Sequence, residues 1–407
     1  MGSINLDNTG SGSGVTLSSD GSSLLLNGSA IGGGGGGADL YAANESSPNA
    51  QPSALGANAI AIGNTTKAGT QASHANAIAI GGSNNTSQPI QATNTFAVAI
   101  GTAYYGAVTA SSDGSMAIGT GATVASASGS LALGKSSTAA GNSAVSLSVS
   151  YASGANSLAA AIDNNTSSYG ATGANSVAIG EEAKATGANS VAISSKKYSG
   201  GATASGAGCV AIGDGATASG IVSTAIGRNA TASSTHSIAI GKDSISANQE
   251  SLALGYKASA DGIGNIAFAS GTFGAANGDA QGKMYILRFA TTNATATVLT
   301  TDASSASNQN QVKVPTNGAV VFDGLITGLE SGVNSYAGWK VEGMIVNDAG
   351  TTTLVNTALT VINNASNWGL ALTADNSLNT LTITVTGEAS HNIRWVANIR
   401  TVETIYA

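Results

Sequence analysis

The sequence predicts an all-β chain: a β-solenoid of repeats about 14 residues long, followed by a C-terminal β-sandwich or jelly roll. Three observations predict it. A motif of the form Asn-Ser-apolar-Ala-apolar-Gly recurs between residues 56 and 270. Glycine and small side chains dominate the composition, with 55 Gly and only 4% aromatic residues. From about Gly282 the texture changes to longer alternating runs, and all three tryptophans (Trp339, Trp368, Trp395) lie there. The domains expected are therefore residues 1–55, 56–270 and 271–407.

The N-terminal part reads as VTLSS, Asp20-Gly21, then SSLLLN, and Asp-Gly between apolar alternations is a hairpin signal. Gly32 to Gly37 and the Asn-Ser-Pro-rich run to Pro52 have the composition of a flexible linker. These residues are expected to form an attachment segment.

The repeats follow. Copies include NAIAIG at 58–63 and 76–81, NSVAIG at 175–180, CVAIG at 209–213, HSIAIG at 236–241 and SLALG at 251–255. From Gly213 through Gly227, Gly241 and Gly255 to Ala269 the step is 14 residues each time. Alternation within Val177-Ala178-Ile179 has the period of a short strand. Gly180 supplies a corner, because glycine adopts positive φ without a Cβ penalty. A second short segment, such as 183–187, completes one coil of a solenoid. With hydrophobic content at 42% but almost no large side chains, burial in a lone chain is thin, and self-assembly is expected.

The C-terminal runs MYILRF, TATVLT, QVKVP, AVVFDGLI, WKVEGMIV, TTLVNTALTV, TLTITV and IRWVANIRTV supply the strands of the sandwich, separated by Asn, Gly and Asp turns.

Charge and cysteine content narrow the function. A net charge of −7 with 9% charged residues argues against nucleic acid and anionic membranes, which need clustered Lys and Arg. No apolar run approaches the roughly 18 residues of a spanning helix, and the first residues show no secretory signal, so membrane insertion is not expected. A single Cys209 excludes an intramolecular disulfide framework; it stands where sister repeats have Ser, and is read as packing rather than as a reactive thiol.

The NSVAIG, ATASG and GANSVAIG segments and their 14-residue step resemble the YadA-like head repeats of trimeric autotransporter adhesins, over about half of the chain. The resemblance implies a left-handed parallel β-roll in a homotrimer, with Val177, Ile179, Val210, Ile212, Ile238 and Ile240 forming the repeat core and the subunit contacts. Neither a heptad stalk nor the usual neck follows the last repeat. The opening segment and the GDAQGK, AGWKVEGMIV and NIRWVANIRTVE stretches are similar to segments of phage fibre and other virion proteins. Together these imply a structural virion fibre, on a phage tail or capsid, that contacts other virion proteins through its N-terminal segment and a host surface receptor or glycan through its C-terminal domain. A bacterial trimeric surface adhesin is the alternative, and a glycan-cleaving tailspike is the third reading.

No catalytic, metal or cofactor motif is read in the sequence, and the chain is expected not to be an enzyme. His74, His236 and His391 are scattered, without metal-ligand spacing. Glycan cleavage would need paired carboxylates. The candidates are Glu181, Glu182 and Asp261, or Asp323, Glu330, Glu342 and Asp348, and these are read as solvated loops and coil corners. Receptor-contact candidates are the repeat-interrupting residues Tyr104, Tyr105, Lys196, Lys197 and Tyr198, with Tyr336 and Arg394 in the last domain.

Overall fold

The structure is a computed structural model that describes residues 52–63, 69–83, 88–163, 166–196, 198–274, 276–332, 335–364 and 368–406, together with short strands near the N-terminus. All the regular structure among the described residues is β. The chain divides into two compact units, residues 1–143 and 144–407.

In the first unit, Ile4–Asn5, Thr16–Ser19, Leu24–Leu26 and Ser29–Ala30 form an antiparallel sheet. Thr16–Ser19 pairs with Leu24–Leu26, the two strands that the Asp-Gly signal predicts, while Asp20-Gly21 and Gly32 to Gly37 lie outside the described residues. From Ser53 the unit consists of coils, each with two short strands. Ile60–Ile62, Ile78–Ser83, Val98–Ala103 and Met116–Thr120 stack in parallel register on one side, and Ile90–Ala92, Val108–Ala110 and Thr123–Ala125 on the other.

The second unit continues the pattern at closer spacing. Val177, Val191, Val210, Thr224, Ile238, Leu252 and Ile266 are successive register partners. Two residues on along each strand, Ile212, Ile226, Ile240, Leu254 and Phe268 form a second row. Such a ladder is the β-solenoid the repeat predicts.

The interior is not the one the sequence predicts. Ala178, Ala192, Ala211, Ala225 and Ala239 are fully buried, and so are Ala185, Ala204 and Ala218 on the facing strands. Val177, Val210, Ile212 and Ile238 are only half-buried, and Ile179 and Ile240 are 37% and 39% exposed. The assignment of these six residues to the repeat core is corrected: within one chain the Ala of each strand points inward and its Val and Ile neighbours point out. The reason is the width of the coil. Strands of two or three residues joined by tight corners bring the facing walls so close that a methyl group fills the gap, and alternation sends the larger side chains to the opposite face.

The other motif positions have local reasons. Asn58, Asn76, Asn156, Asn175 and Asn189 all have φ between 55° and 59°, a left-handed conformation that Asn tolerates better than most residues. The Ser that follows turns its hydroxyl back on the corner: Ser176 Oγ donates to the Gly173 carbonyl and Ser190 Oγ to the Gly187 carbonyl, both at 2.7 Å. Each bond satisfies a polar group that the coil buries. Gly180 closes the corner at φ +93°, where a Cβ would lie 1.7 Å from the Ser194 carbonyl oxygen. His236 occupies the left-handed slot at φ 56°. Cys209 replaces the Ser, is fully buried, and donates to the Ala218 carbonyl at 3.2 Å. Burial pushes its thiol pKa up, so the thiolate is disfavoured.

After the last coil the chain enters a β-sandwich. One sheet has the order Ala280–Thr291, Ile393–Ile405, Gly318–Glu330, Tyr336–Asp348, Thr351–Asn364, all antiparallel. The other is built on Thr380–Thr386, flanked by Gly369–Asp375 on one side and by Thr297–Val298 and Val312–Lys313 on the other. The three tryptophans fill the space between: Trp339 stacks on Trp395 at 6.1 Å, and Trp368 meets Trp395 edge-on at 5.2 Å. Trp395 also donates its indole N–H to Thr291 Oγ1 at 2.9 Å. Ala280–Thr291 pairs antiparallel with the last coil, Ile266 opposite Met284 and Phe268 opposite Gly282. The domain is thus an extension of the solenoid wall by hydrogen bonds.

Candidate functional site

The end of the sandwich far from the last coil brings together two of the residues chosen from sequence. Leu329 is the register partner of Tyr336 on one neighbouring strand and of Arg394 on the other. All three face outward, and Tyr336 is 54% exposed. Alternation makes this so, because Trp395 beside Arg394 and Ala337 beside Tyr336 are turned into the core. Next to this row is a depression of about 570 Å³ lined by Thr291, Leu329, Glu330, Asn392 and Arg394. His391 lies 3.5 Å from Glu330 and 3.8 Å from Glu388 at its edge. An aromatic ring, an aliphatic side chain and a guanidinium in one exposed row suit contact with a polar or sugar surface.

The repeat-interrupting candidates lie at coil corners, where extra residues leave the stack without breaking its register. In the first unit Tyr104 and Tyr105 follow Val98–Ala103, exposed, with their rings edge to face at 4.3 Å. In the second unit Lys196 is engaged with Glu182 at 2.6 Å. Tyr198 is exposed beneath the Arg228 guanidinium, and its amide donates to Asp214 at 2.8 Å. Lys197 lies outside the described residues.

The carboxylates singled out by sequence are mostly committed to cations. Asp323 pairs with Arg400, Glu342 with Lys340 at 2.9 Å, and Glu182 with Lys196. Asp323 and Glu342 are also opposite one another on the outward sheet face, beside a depression of about 450 Å³. Asp261 has a different fate. It accepts from Lys283 at 2.6 Å and lies 2.9 Å from Lys313.

Lys283 is the residue that sequence reasoning passed over. Its side chain is 1% exposed, and its ammonium also lies 3.1 Å from Glu403, whose side chain is fully buried. Thr401 Oγ1 donates to Glu403 at 3.0 Å, and Gln281 reaches Glu403 and both backbone groups of Ser259. Burial works against the charge on Lys283, but Tyr285, Glu403 and Asp261 outweigh it and raise its pKa. At Asp261 burial is likewise overcome, by Lys283 and Lys313, and the carboxyl is held below its ordinary value. At Glu403 burial prevails and the carboxyl is pushed up. This cluster ties the last coil to the first and last strands of the sandwich. The signal was present in the alternation: Lys283 shares the inward parity of Tyr285 and Leu287, and Glu403 that of Trp395, Ala397 and Ile399.

Residues 171–193, 204–230 and 218–244 match the model of the YadA head domain repeat. The solenoid thus carries YadA-like head repeats within residues 171–244. No curated protein matches the chain in sequence. Among solved structures, a tailspike protein of the Acinetobacter baumannii bacteriophage Fri1, described as a capsular polysaccharide depolymerase, is similar over 86% of this chain at 10% identity and a TM-score of 0.21. The match spans 55% of the length of that tailspike chain. The sequence leads to the expectation of no enzymatic function, with a glycan-cleaving tailspike only as the third reading. With a depolymerase among the similar solved structures, that expectation is corrected, and action on polysaccharide becomes a question for assay. At this TM-score the likeness assigns no activity to any residue of this chain.

Proposed function

We propose that the chain is a structural fibre of a phage virion, a homotrimer that displays its C-terminal domain for attachment to a host surface. The observation that carries this reading is the outward row Ile212, Ile226, Ile240, Leu254, on a stretch of solenoid whose inward strand positions are the alanines Ala211, Ala225, Ala239 and Ala253. A single chain leaves this apolar stripe in water, and three chains around a common axis bury it. The six repeat residues Val177, Ile179, Val210, Ile212, Ile238 and Ile240 then act as subunit contacts. The YadA-like repeats support the adhesin-like part of the reading. In the same reading the N-terminal segment meets other virion proteins, and Tyr336 and Arg394 meet the host. Three copies of this surface convert weak single contacts into avidity.

A bacterial surface adhesin would use the same solenoid, so the two readings separate at the particle. Electron microscopy of intact virions labelled for this chain is expected to place it on the tail or capsid, and labelling of bacterial envelopes alone would overturn the fibre reading. Incubation with host polysaccharide and measurement of released reducing ends separates an attachment fibre from a glycan-cleaving spike.

A further inference from the structure

We propose that the outward face of the C-terminal sheet, from Gly282 through Val402 and Val321 to Met344, is covered by a second copy of this chain. This rests on the homotrimer proposed above and extends its interface from the solenoid onto the sandwich.

The argument begins with register. The apolar row of the coils reaches Leu254 and Phe268, and Phe268 is opposite Gly282 in the first strand of the sandwich. Gly282 is opposite Val402, Val402 opposite Val321, and Val321 opposite Met344. One row of backbone partners therefore crosses from solenoid to sandwich without changing face. Its side chains are uncovered in the single chain, with Val402 71% and Val321 53% exposed. Isolated apolar residues on a surface need no explanation, but a continuous row that prolongs another does.

Charge and shape fit the same occupant. Next to this row Arg400 pairs with Asp323 and Lys340 with Glu342 within the chain, so these four side chains present no unbalanced charge to a second copy. Gly282 leaves a depression of about 430 Å³ between Phe268, Val321 and Val402, wide enough to receive apolar side chains. Around a threefold axis that runs along this row, the row of each chain faces the same row of its neighbours, as it does for the solenoid stripe it prolongs.

The test is cross-linking of the full chain with Cys209 replaced by Ser, using a short bis-maleimide on three variants: Ile240→Cys on the solenoid, Val402→Cys on the sandwich, and Ser377→Cys on an exposed turn as control. Two cysteines held at one interface meet at millimolar effective concentration, so at micromolar protein Val402→Cys is expected to form covalent dimer about 100-fold faster than Ser377→Cys. If Ile240→Cys links rapidly and Val402→Cys links only at the control rate, this inference is overturned, the solenoid trimer stands, and the sandwich face is free for another partner. If neither exceeds the control, the trimer reading itself fails. Should Cys209→Ser fold poorly, the same variants in the unaltered background serve, because Cys209 is buried.

Discussion

Lys283 places its ammonium 2.6 Å from the Asp261 carboxylate, joining the first strand of the sandwich to the last coil of the solenoid. Glu403, from the last strand of the chain, shares the same ammonium from the buried side. A buried cation between two carboxylates is costly to desolvate and still more costly to break, since removal of one partner leaves the others unpaired.

The first prediction follows from that asymmetry. Lys283→Met is expected to destabilise the second unit by about 3–5 kcal/mol, the usual cost of breaking a buried pair. Adding Glu403→Gln is expected to restore part of the loss. Calorimetric melting of the single and double variants measures the coupling, and strict additivity would show that the pair does not interact.

The pH dependence has two parts of opposite sign. Asp261 has a lowered pKa in the folded chain, so its contribution is present above the unfolded value, about 4, and is lost as pH falls through the lower folded value. Glu403 has a raised pKa, so its contribution is present below the unfolded value and is lost as pH rises through the folded one. Asp261→Asn is expected to flatten the acid limb of a melting-temperature profile, and Glu403→Gln the limb above it. A profile in which either variant changes both limbs equally would contradict this division.

The solenoid offers a contrast between adjacent positions. Ala211 is fully buried inside the coil, and Ala211→Leu is expected to cost about 1–3 kcal/mol or more of chain stability through overpacking. Ile212 faces outward, so Ile212→Asp is expected to leave the coil folded by circular dichroism and to abolish association in sedimentation at micromolar concentration. Loss of fold in Ile212→Asp alone would return that side chain to the interior.

The corner chemistry is testable at one residue. Asn189→Val places a β-branched residue at φ 57° and is expected to cost about 1–2 kcal/mol, while Asn189→Gly is expected to be tolerated. The Val variant also loses the side-chain bond from Asn175 Nδ2 to Asn189 Oδ1 at 3.1 Å. Equal melting temperatures for the two variants would show that the left-handed conformation carries no strain there.

For host contact, Arg394→Ala and Tyr336→Ala are expected each to lower adsorption of the full chain to host cells by about tenfold, in the range of a binding hot spot, without lowering the melting temperature. Adsorption unchanged by both would assign recognition to another surface.

Much of the fold was legible because the repeat is written in small residues with strict positions. Gly180, Asn175 and Ser176 each answer a local backbone need, which a sequence displays directly. The direction of Val177 and Ile179 was not legible. Hydrophobicity alone sends them inward, and only the narrowness of the coil, a property of two walls together, reverses it. The row Tyr336, Leu329, Arg394 was half legible: residue type marked its ends, but the adjacency depends on strands far apart in the chain. Gly369–Asp375 escaped as a strand, and Lys283 was missed because hydrophobic runs were sought where the inward positions hold a charge.

The stack keeps its register whether 14 residues separate neighbouring strands, as from Val177 to Val191, or 19, as from Val191 to Val210. The extra residues between them form the corner that carries Lys196 and Tyr198. Wall and ornament are therefore structurally separable: a corner can be lengthened, shortened or rewritten while the Ala-lined wall beneath keeps its register. A lineage can thus diversify what its surface presents without reinventing the support that presents it.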